Sequence, residues 1–403
     1  MRGAFARGTC PGLSAPMLTG DGLLARFLPA GPIPLDALIG VCAAARRHGN
    51  GVMEVSARGS LQVRGLTPVS APRFAEEVAT LAIDICEGVQ IVSDPLPGDP
   101  SVLIDTSPIA AAIRRVAAAG GLRLAPKVSV VIDGGGRIDL DALFADVRLR
   151  AMASDQGPRF ELALAGNARS ATAAGSVSTD ESAAAVLDLL ARIAAHGQEA
   201  RAADLLPIPS RAELRANRVS RAEAIGQHPL GADSALGVGL AFGQAQAEAL
   251  AGLALIVKSN GANWARPASG RALLLGPLSG GAVAAARLNA HQLGLVVEAG
   301  DPRRRIAACP GAPACMHGLI AARALAAEIA RVAALPDGDG IALHVSGCAK
   351  GCAHPAPAPL TIVGTEQGCG IVRDGTARAT PSEYVTAREL NSALAGKREP
   401  AHA

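Results

Sequence analysis

Aromatic residues are nearly missing from this chain of 403 residues, which has one Trp, one Tyr and six Phe. Its core must therefore be built from Ala, Leu, Val and Ile. Lysine is scarce as well, with only Lys127, Lys258, Lys350 and Lys397, so a lysine inside a motif gains weight. Net charge is +3 with both signs interspersed, and no polyanion-binding tail stands out. No apolar run reaches membrane-spanning length without Gly, Pro or a charge. Residues 1–30 lack a basic region followed by an apolar stretch and a small-residue cleavage site. The expectation is a soluble cytoplasmic protein with neither membrane nor nucleic acid as partner. In that compartment eight cysteines are not expected to pair as disulfides, and clustered ones point to a metal or redox site. A dinucleotide fingerprint is absent too: Gly134-Gly-Gly136 lacks the third glycine and the helix start.

The length exceeds one typical core, so two or more globular units are expected. Residues 20–85 read as strand, helix, strand, helix, the pattern of a two-layer α+β unit. From 234 onward the same order returns at an offset of 212 residues, aligning Asp36 with Glu248, Gly49 with Gly261 and Leu61 with Leu273. Pro- and Gly-rich stretches near 88–100 and 205–234 serve as boundaries. The expected organisation is an N-terminal loop and first half-domain at 1–87, a first α/β lobe at 88–205, a second half-domain at 206–300 and a second lobe at 301–403. The fold class is α+β with pseudo-twofold symmetry.

The chemistry concentrates in Cys309-Pro-Gly-Ala-Pro-Ala-Cys315 and Ser346-Gly-Cys348-Ala-Lys-Gly-Cys352. Five residues separate the first two thiols and three the last two. Short loops with Pro and Gly turn tightly enough to aim paired thiols inward, as an iron–sulfur cubane with four soft ligands requires. Zinc prefers shorter spacings, and plain thiols are the other reading. A helix carrying Leu325, Ile329 and Val332 follows the first pair, and its N-terminus is expected to turn N–H groups toward an anionic cluster. A strand precedes the second pair. Cys42 and Cys86 read as inert buried thiols, and Cys369 as a structural one. Lys350, between the last two cysteines, reads either as a donor to a sulfur or carboxylate or as a solvated lysine.

Arg58, Gln62 and Arg64 stand at alternate spacing, which on an extended strand puts them on one face. That face is either a pocket for carboxylates or a solvated edge. His317, His344 and His354 flank the cysteine motif and read as iron ligands or as hydrogen-bonded histidines.

The spacing Cys-x5-Cys followed by Ser-Gly-Cys-x3-Cys resembles the cluster motif of the sirohaem and 4Fe-4S nitrite/sulfite reductase superfamily, whose members also carry doubled ferredoxin-like half-domains. The stretch Gly8-Thr-Cys-Pro-Gly-Leu-Ser-Ala-Pro-Met17, with Thr19-Gly-Asp-Gly-Leu-Leu24, is similar to the oxygen-dependent, corrin-building branch. The resemblance implies a 4Fe-4S cluster on Cys309, Cys315, Cys348 and Cys352, with Cys352 as the bridge to sirohaem or iron. It implies substrate contacts from Arg58, Gln62, Arg64 and Lys127. It further implies a mononuclear non-haem iron, for which Cys10, Asp21, His317, His344 and His354 are candidates. Ser129 stands where the reductases have a second basic or amide group, and no arginine falls near Gly88–Ser93. These departures argue against six-electron anion reduction.

The implied activity is hydroxylation and lactone formation on precorrin-3A with O2, in aerobic cobalamin biosynthesis. A separate NADH-linked reductase or ferredoxin is the expected electron donor. The alternatives are a sirohaem-dependent nitrite or sulfite reductase, and a non-catalytic tetrapyrrole or cluster carrier.

Overall fold

The computed structural model describes residues 11–206, 221–332, 335–336 and 340–390. The chain divides into two compact units, Met1–Met17 with Leu24–Val297, and Leu18–Leu23 with Glu298–Ala403. Among the described residues no helix is long and apolar enough to cross a membrane.

The first half-domain comprises β1 (Met17–Thr19), β2 (Gly22–Phe27), β3 (Ile33–Pro34), α1 (Leu35–His48), β4 (Val52–Val55), β5 (Leu61–Leu66) and α2 (Ser70–Ala79). The lobe after it comprises β6 (Gln90–Ser93), α3 (Ser107–Ala119), β7 (Ser129–Asp133), β8 (Ala145–Met152), β9 (Arg159–Gly166), β10 (Thr172–Val177) and α4 (Thr179–Ala195). The second half-domain comprises β11 (Gly226–Leu230), β12 (Asp233–Gly239), β13 (Gln244–Gln246), α5 (Ala247–Ser259), β14 (Trp264–Ala268), β15 (Ala272–Leu278) and α6 (Gly280–Gln292). The last lobe comprises β16 (Ile306–Ala308), α7 (Ala322–Val332), β17 (Leu343–Ser346), β18 (Ala358–Thr365), β19 (Gly368–Gly375) and β20 (Glu383–Val385).

The half-domains exchange strands. Their sheets run β1-β2-β5-β4-β13 and β11-β12-β15-β14-β3, so each takes its last strand from the other repeat. Glu54 pairs with Gln244 in one junction, and Ile33 with Ala265 in the other. Behind the sheets α1 packs on α5. Leu35, Leu38, Val41, Cys42 and Ala45 form the buried stripe of α1, and Leu250, Leu253, Ala254 and Val257 that of α5, as helical spacing requires. The pseudo-twofold is repeated in charge: Lys258 Nζ meets Asp36 at 2.5 Å, and Arg46 Nε meets Glu248 at 2.6 Å. Both pairs are solvent-exposed and add little stability, but they obey the same offset as the strands.

The lobes share a second repeat. In each, three parallel strands (β6, β7, β8 and β16, β17, β18) are followed by two antiparallel ones. The first lobe packs Ile113, Val130, Ile132, Phe160, Val186 and Leu190 between sheet and helices. There α4 opens on a capping box, Ser178 with Glu181. The loop after the first strand of each lobe and the loop after its second lie side by side. In the last lobe these two loops carry the cysteines. In the first lobe they carry Asp94 and Asp99 against Gly134–Gly136.

Candidate functional site

Cys309 directly follows β16, and Cys348 stands two residues beyond β17. Because these strands are parallel neighbours, their C-terminal loops emerge together. The Cys309 N–H bonds the Val345 carbonyl at 3.3 Å, and the Gly347 N–H donates to Cys309 Sγ at 3.0 Å. The first loop is closed by Cys315 N–H to Gly311 O at 2.7 Å and Ala312 N–H to Ile320 O at 2.8 Å. Ser346 Oγ donates to the Cys348 carbonyl at 2.7 Å, and Gly351 takes the left-handed φ of +64° that turns the chain toward Cys352.

Burial, and after it the negative charge of Cys309, Cys348 and Cys315, raises the Cys352 thiol above its ordinary value, while Lys350 opposes the rise. The structure thus brings Cys309, Cys315 and Cys348 within electrostatic reach of Cys352. Cys309, Cys315 and Cys348 are half-buried and Cys352 is exposed. Cys42 and Cys369 lie fully buried on their own elements, and burial pushes the Cys42 thiol up to about 12.

The turn at the end of β1 belongs to this unit. Met316 N–H bonds the Gly20 carbonyl at 3.0 Å, and a Cβ at position 20 would lie 2.2 Å from Cys315 Sγ. Beside it, Thr19 Oγ1 donates to Asp21 Oδ1 at 2.9 Å and tightens the turn. Only the Thr-Gly-Asp-Gly turn signal marks Gly20 in the sequence.

The helix reading needs correction. α7 begins at Ala322, seven residues past Cys315, and the amide that reaches one of the four thiols is that of Gly347, bonded to Cys309. Pro313 and the turn through Gly318 delay the helix, because Gly318 N–H first bonds the Cys315 carbonyl at 2.8 Å.

Among the described residues no group of three or more His, Cys, Asp or Glu is placed to hold a single metal ion. A cubane offers a separate iron to each thiolate, so its ligands stand wider apart than those of one ion, and four convergent thiols suit it. Among the described residues a mononuclear iron finds no such set. His344 is fully buried on β17, with both ring nitrogens lacking a hydrogen-bond partner. Its ring meets that of His354 edge-on at 5.8 Å between centroids, and burial followed by His354 lowers it to about 4. No third ligand joins them among the described residues. His317 is half-buried on the first cysteine loop, and Cys10 lies outside the described residues.

In the first unit the expected common face of Arg58, Gln62 and Arg64 is only partly formed. β5 starts at Leu61, and Arg58 stands in the turn before it, where Gly59 takes a φ of +81°. Arg58 donates instead to the Phe144 carbonyl. Gln62 and Arg64 do share a face, and Glu54 on β4 holds both. Arg64 Nη1 lies 3.3 Å from Glu54 Oε2. With its amide nitrogen toward Glu54, Gln62 donates to that carboxylate at 2.8 Å and accepts from Arg26 at 2.6 Å. Lys127 is exposed in the turn that leads into β7, which starts at Ser129.

Comparisons with known proteins agree with this layout. Residues 16–81 match the model of the nitrite/sulfite reductase ferredoxin-like half domain. The structure of Mycobacterium tuberculosis NirA protein superposes with a TM-score of 0.65 at 16% identity, covering 94% of this chain and 82% of that one. A precorrin-3B synthase from Sinorhizobium sp is 40% identical over 97% of this chain and 88% of its own length. The fold is that of the nitrite/sulfite reductase class, α+β with paired ferredoxin-like half-domains. Within that class the chain belongs to the precorrin-3B synthase family, and it is an oxidoreductase of tetrapyrrole metabolism.

Proposed function

We propose that the chain hydroxylates precorrin-3A with O2 and closes a lactone on it, yielding precorrin-3B in the cytoplasm. One oxygen atom enters the macrocycle and the other leaves as water, with two electrons from NADH and two protons. A separate NADH-linked reductase or a ferredoxin delivers the electrons. Cys309, Cys315, Cys348 and Cys352 would hold a 4Fe-4S cluster, which supplies single-electron transfer when bound. The observation that carries this reading is the electrostatic reach of Cys309, Cys315 and Cys348 to Cys352, with Gly347 N–H already turned to Cys309.

Arg58 and Lys127 orient the substrate. Both are cationic and neither has an acidic partner within ion-pair distance among the described residues, so their charge is open to carboxylates. Gln62 and Arg64 act at one remove: Glu54 answers their polar groups, and together the three stiffen the β4–β5 ribbon from which Arg58 projects. Holding a carboxylate-rich ring in a single pose lowers the entropic part of the barrier.

The test is anaerobic reconstitution, iron and sulfide counting, and incubation with precorrin-3A, NADH and a reductase, with and without O2. About four irons and four sulfides per chain are expected, with product only when O2 is present. Sirohaem extracted into acid acetone, together with reduction of nitrite or sulfite, would overturn the reading.

A further inference from the structure

His344 is buried completely, and neither of its ring nitrogens has a hydrogen-bond partner among the described residues. A buried polar group left unpaired is costly, and two on one ring call for an explanation.

The surroundings of the ring narrow the answer. His344 stands in β17 between Ala307 of β16 and Thr361 of β18. The hydroxyls on that face of the sheet are already engaged. Thr361 Oγ1 donates to the Gly375 carbonyl at 2.8 Å, and Ser346 Oγ to the Cys348 carbonyl at 2.7 Å. Val363 and Val372, on the same face by register, pack with Ala377 in an apolar cluster. A buried water needs two to four polar partners, and committed or apolar neighbours supply few. What borders the ring on its remaining side is the second cysteine loop. A Cβ at Gly351 would lie 3.8 Å from His344 Cε1, and the ring of His354, two residues past Cys352, meets it edge-on.

We infer that one ring N–H of His344 is a hydrogen-bond donor to a sulfur of the bound 4Fe-4S cluster. This rests on the cluster reading given above. Burial keeps the ring neutral, and a neutral imidazole offers one N–H and one lone pair. The acceptor is a thiolate or an inorganic sulfide. A donor to sulfur withdraws charge from the cluster and raises its reduction potential.

Two measurements on the full chain, reconstituted under argon, test the donor. The first is pulsed EPR of the reduced cluster in the unaltered chain with isotopically labelled histidine. Coupling to a histidine nitrogen is expected, and it should vanish in His344→Phe. The second is the midpoint potential of the cluster from a dye-mediated titration. His344→Phe is expected to lower it, so that at the midpoint of the unaltered chain the ratio of reduced to oxidised cluster falls about tenfold. Of His344→Asn and His344→Gln, whose amides stand in for the two ring nitrogens, one should recover part of that loss. Thr361→Val disturbs the same face without removing the donor and should leave the potential unchanged.

No histidine coupling in the unaltered chain, or coupling that survives in His344→Phe, overturns the donor. So does an unshifted potential in His344→Phe with its full iron complement. The first readout needs no variant, so the test holds even where a substituted chain fails to assemble its cluster. An unaltered chain that takes up fewer than about four irons removes the cluster reading and the donor together. A full cluster that shows the coupling in a chain that never converts precorrin-3A leaves the donor standing and removes the oxygenase reading.

Discussion

Gly20 faces Cys315 with nothing between them: a Cβ on the glycine would sit 2.2 Å from the sulfur. Real Cβ atoms do not approach that closely, so either the turn or the thiol must move. Gly20→Ala is expected to lower iron and sulfide per chain to a small fraction of the unaltered value. Gly12→Ala is the control, since its nearest neighbour would lie at 3.8 Å. Iron and acid-labile sulfide counting checks it, and a full complement in Gly20→Ala would show that the turn yields.

Removing a thiol should be more complete. Cys352→Ala is expected to abolish the cluster's visible absorption, whereas Cys42→Ala should keep it and lose only about 1–2 kcal/mol of stability through a small buried void. Retention of a full four-iron signal by Cys352→Ala would remove that residue from the ligand set.

Asp133 is buried completely and answered by Arg221, with Nη2 2.6 Å from Oδ2. Arg221→Ala strands a carboxylate in the core and should cost about 3–5 kcal/mol. Asp133→Asn added to it should restore part of the loss. Urea midpoints of the single and double variants read the difference.

Asp94 supplies a pH signature. Burial, followed by repulsion from Asp133, raises it from 3.8 to about 6, although three hydrogen bonds pull the other way. Between those values the folded chain keeps a proton that the unfolded chain has released. The group's contribution to stability is therefore greatest below about pH 4 and falls as pH rises through about 6. Asp94→Asn should flatten this part of the profile, as measured by urea midpoints from pH 4 to 7.

The repeat was legible because both half-domains need the same order of strand, helix and glycine turn, and the offset that aligns Asp36 with Glu248 also aligns the elements around them. That the two cysteine pairs lie near one another was legible because short Gly/Pro loops turn paired thiols inward. Arg58 misled because spacing alone cannot show that Gly59 breaks the extended run three residues before Gln62. Glu54 was missed because its partners Gln62 and Arg64 lie on β5, and a single acidic residue in a strand carries no signal.

The crossing of β3 and β13 between the half-domains has a consequence for biosynthesis. A ribosome that has released residues 11–90 has made every element of the first half-domain, yet the sheet still lacks its edge at β4. That edge stays open until Gln244–Gln246 emerges, more than a hundred and fifty residues later. Domains usually fold as they are made, and an unpaired strand edge invites association. The nascent chain must therefore carry an unfinished sheet while all of those further residues are made, and the first half-domain expressed alone should be prone to aggregate.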